Sequence, residues 1–319
     1  MFSIIIPLYN KAPYIEKAIN SILKQTFQNF ELIIIDDGST DNSLKVVQSI
    51  DFAGYDAKII TQGNQGVSTT RNNGVKIAKY NYIAFLDADD WWAPTFLEEM
   101  KALIDEFSDG GIYGSSYYYV KRGKYIPAQI GVDKSFERGY FDYIHAYTVS
   151  HWMPLWTGAV TIPKNIFNQM QGFKPQLKLG EDFDLWIRIA LQYKTVLLNK
   201  PLAYYNQDVE IANRAIGSRI HKPEEHMLFA LADLYEKERT NPQLKLMMDR
   251  LRVYSLFPYY LNKSTRSETK KEIARVDWNK QSKQAYRQYH KTPIAFLKIR
   301  QYLLKMGATI KNKMITIIK

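Results

Sequence analysis

Four short apolar runs, Ser3 to Pro7, Phe30 to Ile35, Lys58 to Thr61 and Tyr82 to Leu86, are separated by stretches with helical spacing. This alternation constrains the fold more than any other feature of the chain. Runs of this length read as strands. Between them, Tyr14 to Lys24 sets Ile15, Ala18, Ile19 and Ile22 on one helical face. Leu44 to Ile50 follows two candidate caps, Asp41 and Ser43, and Val67 to Lys79 follows Gly63-Asn64-Gln65-Gly66. Strands joined through helices pair in parallel, so the predicted class is α/β, a Rossmann-like and mostly parallel sheet flanked by helices.

Parallel strands bring their carboxyl ends to one edge, where open sheets bind ligands. The fourth run ends abruptly in Asp87-Ala88-Asp89-Asp90. Asp-x-Asp presents hard oxygens for a divalent cation that also bridges substrate phosphates, although an acidic surface turn has the same composition. Two other exits are polar, Pro7-Leu8-Tyr9-Asn10 and Asp36-Asp37-Gly38-Ser39. A ring such as Tyr9 can stack on a base, and a carboxylate such as Asp37 can accept hydrogen bonds from base or ribose; a plain turn is the alternative. Arg71, early in the helix after Gly66, can meet phosphate or simply face solvent. In Gly180-Glu181-Asp182-Phe183-Asp184, adjacent carboxylates open a helix, where Asp182 can be a cap or a general base. Neither Gly-x-Gly-x-x-Gly nor Gly-x-x-x-x-Gly-Lys-Ser/Thr occurs, which argues against a nicotinamide or flavin enzyme and excludes a P-loop.

The 319 residues exceed one usual core, and 46% apolar content supports a large folded interior. From Asp109 to Ile162 the pattern turns aromatic and short-stranded, with runs at Ile112-Tyr113, Tyr117 to Lys121 and Lys124 to Ile126. Ile166 to Met170 and Asp182 to Tyr193 read as helices. Beyond Pro223 the chain reads helical, with Met227 to Glu238 and Leu244 to Leu261. There is no cysteine, so disulfides and thiol nucleophiles are excluded. No apolar stretch of about 18 residues suggests a membrane span, and Met1-Phe2-Ser3 lacks the basic lead-in of a secretory signal, so the cytoplasm is the expected address.

The net charge of +11 lies entirely in the tail. Residues 264–319 hold 14 Lys/Arg against 3 Asp/Glu, whereas 1–263 hold 29 of each. The body is therefore not a nucleic-acid-binding surface. In the tail, Phe296, Ile299, Leu303, Met306, Ile310, Met314 and Ile317 recur every three or four residues, with Lys298, Lys305 and Lys311 off the stripe. Such a helix can lie on an anionic membrane, peripheral to the inner face of the cell, or cover a protein face, including a second copy in a homodimer.

Ser3 to Asn10, Asp36 to Asp41, Gly66 to Gly74, Phe85 to Asp90 and Gly180 to Arg188 resemble, in order and spacing, the family 2 glycosyltransferases of the GT-A fold. The resemblance covers about 1–210. It implies a nucleotide-sugar-binding half at 1–105 and an acceptor-binding half at 106–215; the remainder, 216–319, reads as a helical basic region. It implies that Pro7, Tyr9, Asp37, Arg71 and Asp87 meet the nucleotide and that Asp89 holds Mn²⁺ or Mg²⁺. Asp182, beside Glu181, is then the base for an acceptor hydroxyl. Trp156 and Thr157 are candidates for an acceptor pocket, together with His151 and Trp152. His221 and the basic segment from Arg214 are candidates for a phosphate or metal contact. The implied partners are a nucleotide diphosphate sugar, a UDP sugar foremost, and a glycan or polyprenyl-linked acceptor of bacterial surface-glycan assembly. The Gln-x-x-Arg-Trp motif and membrane helices of processive synthases are absent, which favours a single addition. A non-catalytic nucleotide-sugar-binding subunit is the alternative. A sugar-1-phosphate nucleotidyltransferase would need a Gly-rich N-terminal loop. A glycosidase would need no nucleotide site.

Overall fold

The computed structural model describes residues 1–209 and 220–303. The chain forms two compact units, Met1–Ala230 and Leu231–Lys319.

In the first unit, β1 (Phe2–Leu8), α1 (Ile15–Leu23), β2 (Phe30–Asp36), α2 (Ser43–Gln48), β3 (Asp56–Thr61), α3 (Val67–Ile77) and β4 (Tyr82–Phe85) alternate as predicted. β1 pairs in parallel with β2 and β4, and β2 with β3. β1 and β2 are buried on both faces, which is why their sequences run apolar without alternation. Gly74 lets α3 sit close on β1, since a Cβ there would lie 2.6 Å from Ile5 Cγ2. α1 buries Ile15, Ala18, Ile19 and Ile22, the four residues its spacing marks.

The unit continues through β5 (Trp91–Trp92), α4 (Phe96–Glu106), β6 (Gly110–Lys121), β7 (Lys124–Pro127), β8 (Arg138–Phe141), α5 (Tyr143–Ser150), β9 (Val160–Pro163), α6 (Lys164–Gln169), α7 (Glu181–Ala190) and β10 (Lys194–Asn206). The sheet order is β3-β2-β1-β4-β9-β6-β10-β5, with β7 on β6 and β8 on β10. β6 and β10, the longest strands, pair in parallel. β9 is antiparallel to both neighbours and joins the two halves. The expected mostly parallel sheet with flanking helices is thus present, and short antiparallel strands complete it.

The second unit contains α8 (Ala232–Thr240), α9 (Pro242–Ser255), α10 (Phe257–Leu261), α11 (Arg266–Ile273) and α12 (Lys283–His290). Residues 294–303 are also helical. Tyr260, Ile273, Val276, Tyr289 and Leu297 are among its core residues. Arg252 is fully buried and meets Glu238, Asp249 and Glu272 at 2.7–3.4 Å. Among the described residues no helix is long and apolar enough to cross a membrane.

Two expected helices differ. Leu244 to Leu261 breaks at Leu256, where α10 restarts with Pro258 in its first turn; proline is tolerated at that position and not inside a helix. Met227 to Glu238 begins instead as a 3₁₀ turn, because the Met227 amide donates to Leu179 O at 3.0 Å.

Candidate active site

Parallel pairing brings the ends of β1, β2 and β4 to one edge of the sheet. Beyond β1, Asn10 adopts a left-handed conformation, φ 51°, which its short amide tolerates. Its Oδ1 accepts the amides of Thr40 and Asp41 at 2.8 and 3.3 Å, tying the first exit to the second. Tyr9 is 45% exposed on this edge and Pro7 half-buried. Asp37 is buried: it accepts Gln65 N and Gln62 Nε2 on Oδ1, and Gly66 N on Oδ2, each at 2.8 Å. The carboxylate therefore shapes the loop leading into α3.

That helix carries Arg71, whose guanidinium is buried. Nη2 donates to Asp87 Oδ1 at 2.6 Å and Nη1 to Glu181 Oε1 at 3.2 Å, and the group lies 5.3 Å from the centre of the Phe173 ring. Burial works against the Arg71 charge, but Asp87 and Glu181 outweigh it and raise the pKa. Arg71 thus fastens the end of β4 to the start of α7. These elements are far apart in sequence.

Asp89 pairs with Lys11 at 2.7 Å. Burial raises its pKa despite Lys11, and Asp87 adds to the rise. Asp90 is buried and accepts the Asn206 amide at 2.7 Å, anchoring the end of β10 to the acidic turn. Burial, then the charges of Asp89 and Asp87, push its pKa well above the carboxylate range. Among the described residues no three His, Cys, Asp or Glu form a ready metal cage. A cation that keeps waters and substrate phosphates needs only one or two carboxylates, and Asp89 with Asp87 at its side fits that demand.

Asp182 sits in the first turn of α7. Its Oδ1 accepts Phe183 N at 2.8 Å, and Thr157 Oγ1 donates to Oδ2 at 3.4 Å. Burial, then the charge of Glu181, lift its pKa to about 7, against the pull of Arg71. The preceding turn is held from outside the helix. Lys178 N and Leu179 N donate to Glu225 O at 2.7 and 3.2 Å, and Met227 N donates back to Leu179 O. Gly180, φ +82°, packs so closely that a Cβ would stand 2.9 Å from Met227 Cβ.

Trp156 and Thr157 are both buried. Trp156 stacks on Tyr205, 5.0 Å between centroids, and forms wall rather than open surface. The pKa of Tyr205 is raised by burial and by Asp90, Asp87 and Asp89. His151 ends α5 in a left-handed conformation, φ 56°, and Trp152 is 42% exposed. His221 is buried, with Nδ1 3.9 Å from Glu225 Oε2. Arg214 lies outside the described residues. The structure thus gathers Arg71, Asp87, Glu181, Asp182 and Thr157 into one connected network. It adds Lys11, Glu225 and Met227, which carry no local signal because each acts across a long loop.

Residues 3–160 match the model of Glycosyl transferase family 2. These residues are a family 2 glycosyltransferase domain. The family 2 domain is similar to the uncharacterized glycosyltransferase EpsJ of Bacillus subtilis, 35% identical over 138 residues. That match covers 42% of this chain and 39% of EpsJ, so the chain spans about two fifths of this relative. Among solved structures, S. aureus TarS in complex with UDP-GlcNAc has a TM-score of 0.68 at 20% identity, over 88% of this chain and 82% of that one. The mannosyltransferase PcManGT of Pyrobaculum calidifontis, in complex with GDP-Man and Mn²⁺, has a TM-score of 0.54 at 16% identity, over 97% and 79%. At these identities the likeness concerns the fold, and that fold is GT-A.

Proposed function

We propose that the protein is an inverting glycosyltransferase that moves one sugar from a nucleotide diphosphate sugar to a hydroxyl of a glycan or lipid-linked acceptor. The observation that carries this reading is Asp182, a half-buried carboxyl poised at about 7 and fastened through Glu181 and Arg71 to the acidic strand exit. A general base works best with a pKa near the operating pH. UDP is the favoured nucleotide, supported by the UDP-GlcNAc carried by TarS.

In this reading Pro7, Tyr9 and the loop shaped by Asp37 would receive the base, and Asp87, oriented by Arg71, the ribose. Asp182 would take the acceptor proton as that oxygen attacks the anomeric carbon from the face opposite the leaving group. The bond to the diphosphate breaks, its electron pair stays on phosphate oxygen, and the proton stays on Asp182. Asp89, with Asp87, would hold Mn²⁺ or Mg²⁺, which when bound supplies positive charge to the leaving diphosphate. The Mn²⁺ of PcManGT supports this assignment. Trp156 and Tyr205 would wall the acceptor side, and Thr157 would orient Asp182.

The tail adds a membrane surface to this reading. Phe296, Ile299 and Leu303 are 56–68% exposed in a chain end rich in Lys and Arg. The rest of that stripe, Met306, Ile310, Met314 and Ile317, lies outside the described residues. A screen of UDP-, GDP- and dTDP-sugars for thermal stabilisation and donor turnover, with and without Mn²⁺, tests the proposal. Stabilisation and turnover by one nucleotide class are expected. Stabilisation without turnover would leave a non-catalytic binding subunit, and neither would remove the reading.

A further inference from the structure

Aromatic side chains divide between the two faces of the second half of the sheet. On β6, Tyr117 and Tyr119 turn towards Trp156 and Tyr205, the face of the carboxylates. Tyr118, between them, turns the other way and stacks on Tyr204 of β10. There Trp91, Tyr204 and Tyr118 form a ladder of near-parallel rings, 5.4 and 5.6 Å apart, with 14° between planes at both steps. Lys17 Nζ lies 2.9 Å from the centre of the Trp91 ring. Tyr125 stands nearly perpendicular to Tyr118 and Tyr204, at 87° and 82°. Trp91, Tyr118, Tyr125, Pro127 and Tyr204 line an open hollow of about 750 Å³.

Rings gathered only to build a core would be covered, with their hydroxyls paired. Here Tyr125 is 56% exposed. The hydroxyls of Tyr118, Tyr125 and Tyr204 form no hydrogen bond with any described residue. The hollow lies within the size range of small-ligand sites, and its mix of ring surface and phenol hydroxyls has a natural counterpart. A pyranose has an apolar C–H face and a rim of hydroxyls. A purely apolar chain would leave the phenol hydroxyls unsatisfied, and a phosphate group would find no cation among the lining residues.

We propose that this hollow is a saccharide subsite, distinct from the transfer centre, that holds the body of a glycan whose end reaches Asp182. The path would run round the sheet edge at β5, where Trp91 directly follows Asp90. The choice of a glycan rests on the glycosyltransferase reading.

The test is saturation-transfer NMR on the full chain with cello-, malto- and chitohexaose. It compares wild type, Tyr125→Ala, Tyr125→Phe and Asp182→Asn, with UDP thermal shifts measured in parallel. The expected result is binding of at least one hexasaccharide, weakened about tenfold in Tyr125→Ala, less in Tyr125→Phe, and unchanged in Asp182→Asn. An unchanged UDP shift in Tyr125→Ala would show that the variant is folded. Binding of no hexasaccharide, or binding indifferent to Tyr125→Ala, would overturn the proposal. A Tyr125-dependent signal from a chain that ignores UDP would keep this subsite and discard the donor reading.

Discussion

Arg71 Nη2 lies 2.6 Å from Asp87 Oδ1, a charge pair in which the guanidinium is almost wholly buried. Its other terminal nitrogen holds Glu181, so one cation separates a carboxylate at the end of β4 from one at the start of α7. Replacing one partner of a buried ion pair strands the other, typically at a cost of about 3–5 kcal/mol. Arg71→Met should therefore destabilise the first unit by roughly that amount and lower the melting temperature. Differential scanning calorimetry checks this, and an unchanged melting temperature would contradict the bridging role.

Gly180→Ala should cost roughly 1–3 kcal/mol, because a side chain is strained at φ +82° and its Cβ would press on Met227. Turnover should fall more than donor binding, since the displaced turn carries Asp182. Chemical denaturation and a kcat-against-KM comparison check the two parts. Met227→Gly, which removes the Cβ that the new side chain would meet, should restore part of the lost turnover in the double variant.

Asp182 also sets a pH dependence. Its folded pKa of about 7 lies above the value of an unfolded aspartate. The neutral form is thus favoured by folding. That contribution is complete below pH of about 4 and is lost as pH rises through about 7. Asp182→Asn, which is always neutral, should raise the melting temperature relative to wild type at pH 8 and change it little at pH 4. Turnover of the wild type should move oppositely, falling in inverse proportion to proton concentration below about pH 7 as the base is protonated. A flat acid limb in kcat would count against Asp182.

Donor stabilisation that depends on Mn²⁺ or Mg²⁺ should disappear with EDTA and in Asp89→Ala, each read against the metal-free melting temperature of the same protein. Thermal shift with UDP and each cation reads this out. Full metal-dependent stabilisation in Asp89→Ala would move the cation elsewhere.

The full chain should sediment with anionic vesicles at low salt and leave them as salt rises, with each basic residue near the surface contributing about 1 kcal/mol. Neutral vesicles should retain much less. Indifference to anionic vesicles, with a concentration-dependent dimer in their place, would assign the exposed Phe296 and Ile299 face to a second copy.

Much of this molecule was legible from sequence for a physical reason. The strands β1 and β2, buried on both faces, must be continuously apolar, and their polar exits stand out by contrast. Asp87 and Asp89 stand out in that way at the end of β4, whereas Asp182 shows only as one of two adjacent carboxylates opening a helix. β10 was missed because Pro201 interrupts it at a register shift. α4 was passed over although Phe96, Leu97, Met100, Leu103 and Ile104 keep helical spacing. The contacts of Lys11 with Asp89 and of Met227 with Gly180 leave no periodic trace, since each joins residues brought together only by the fold.

The most direct test of the central claim is to measure donor binding and sugar transfer side by side in Asp182→Asn. Loss of a general base should lower turnover by about 10²–10⁴ while the thermal shift with UDP sugar stays at the wild-type value. Transfer at the wild-type rate would show that Asp182 is not the base, and loss of donor binding together with turnover would make it a donor-site residue.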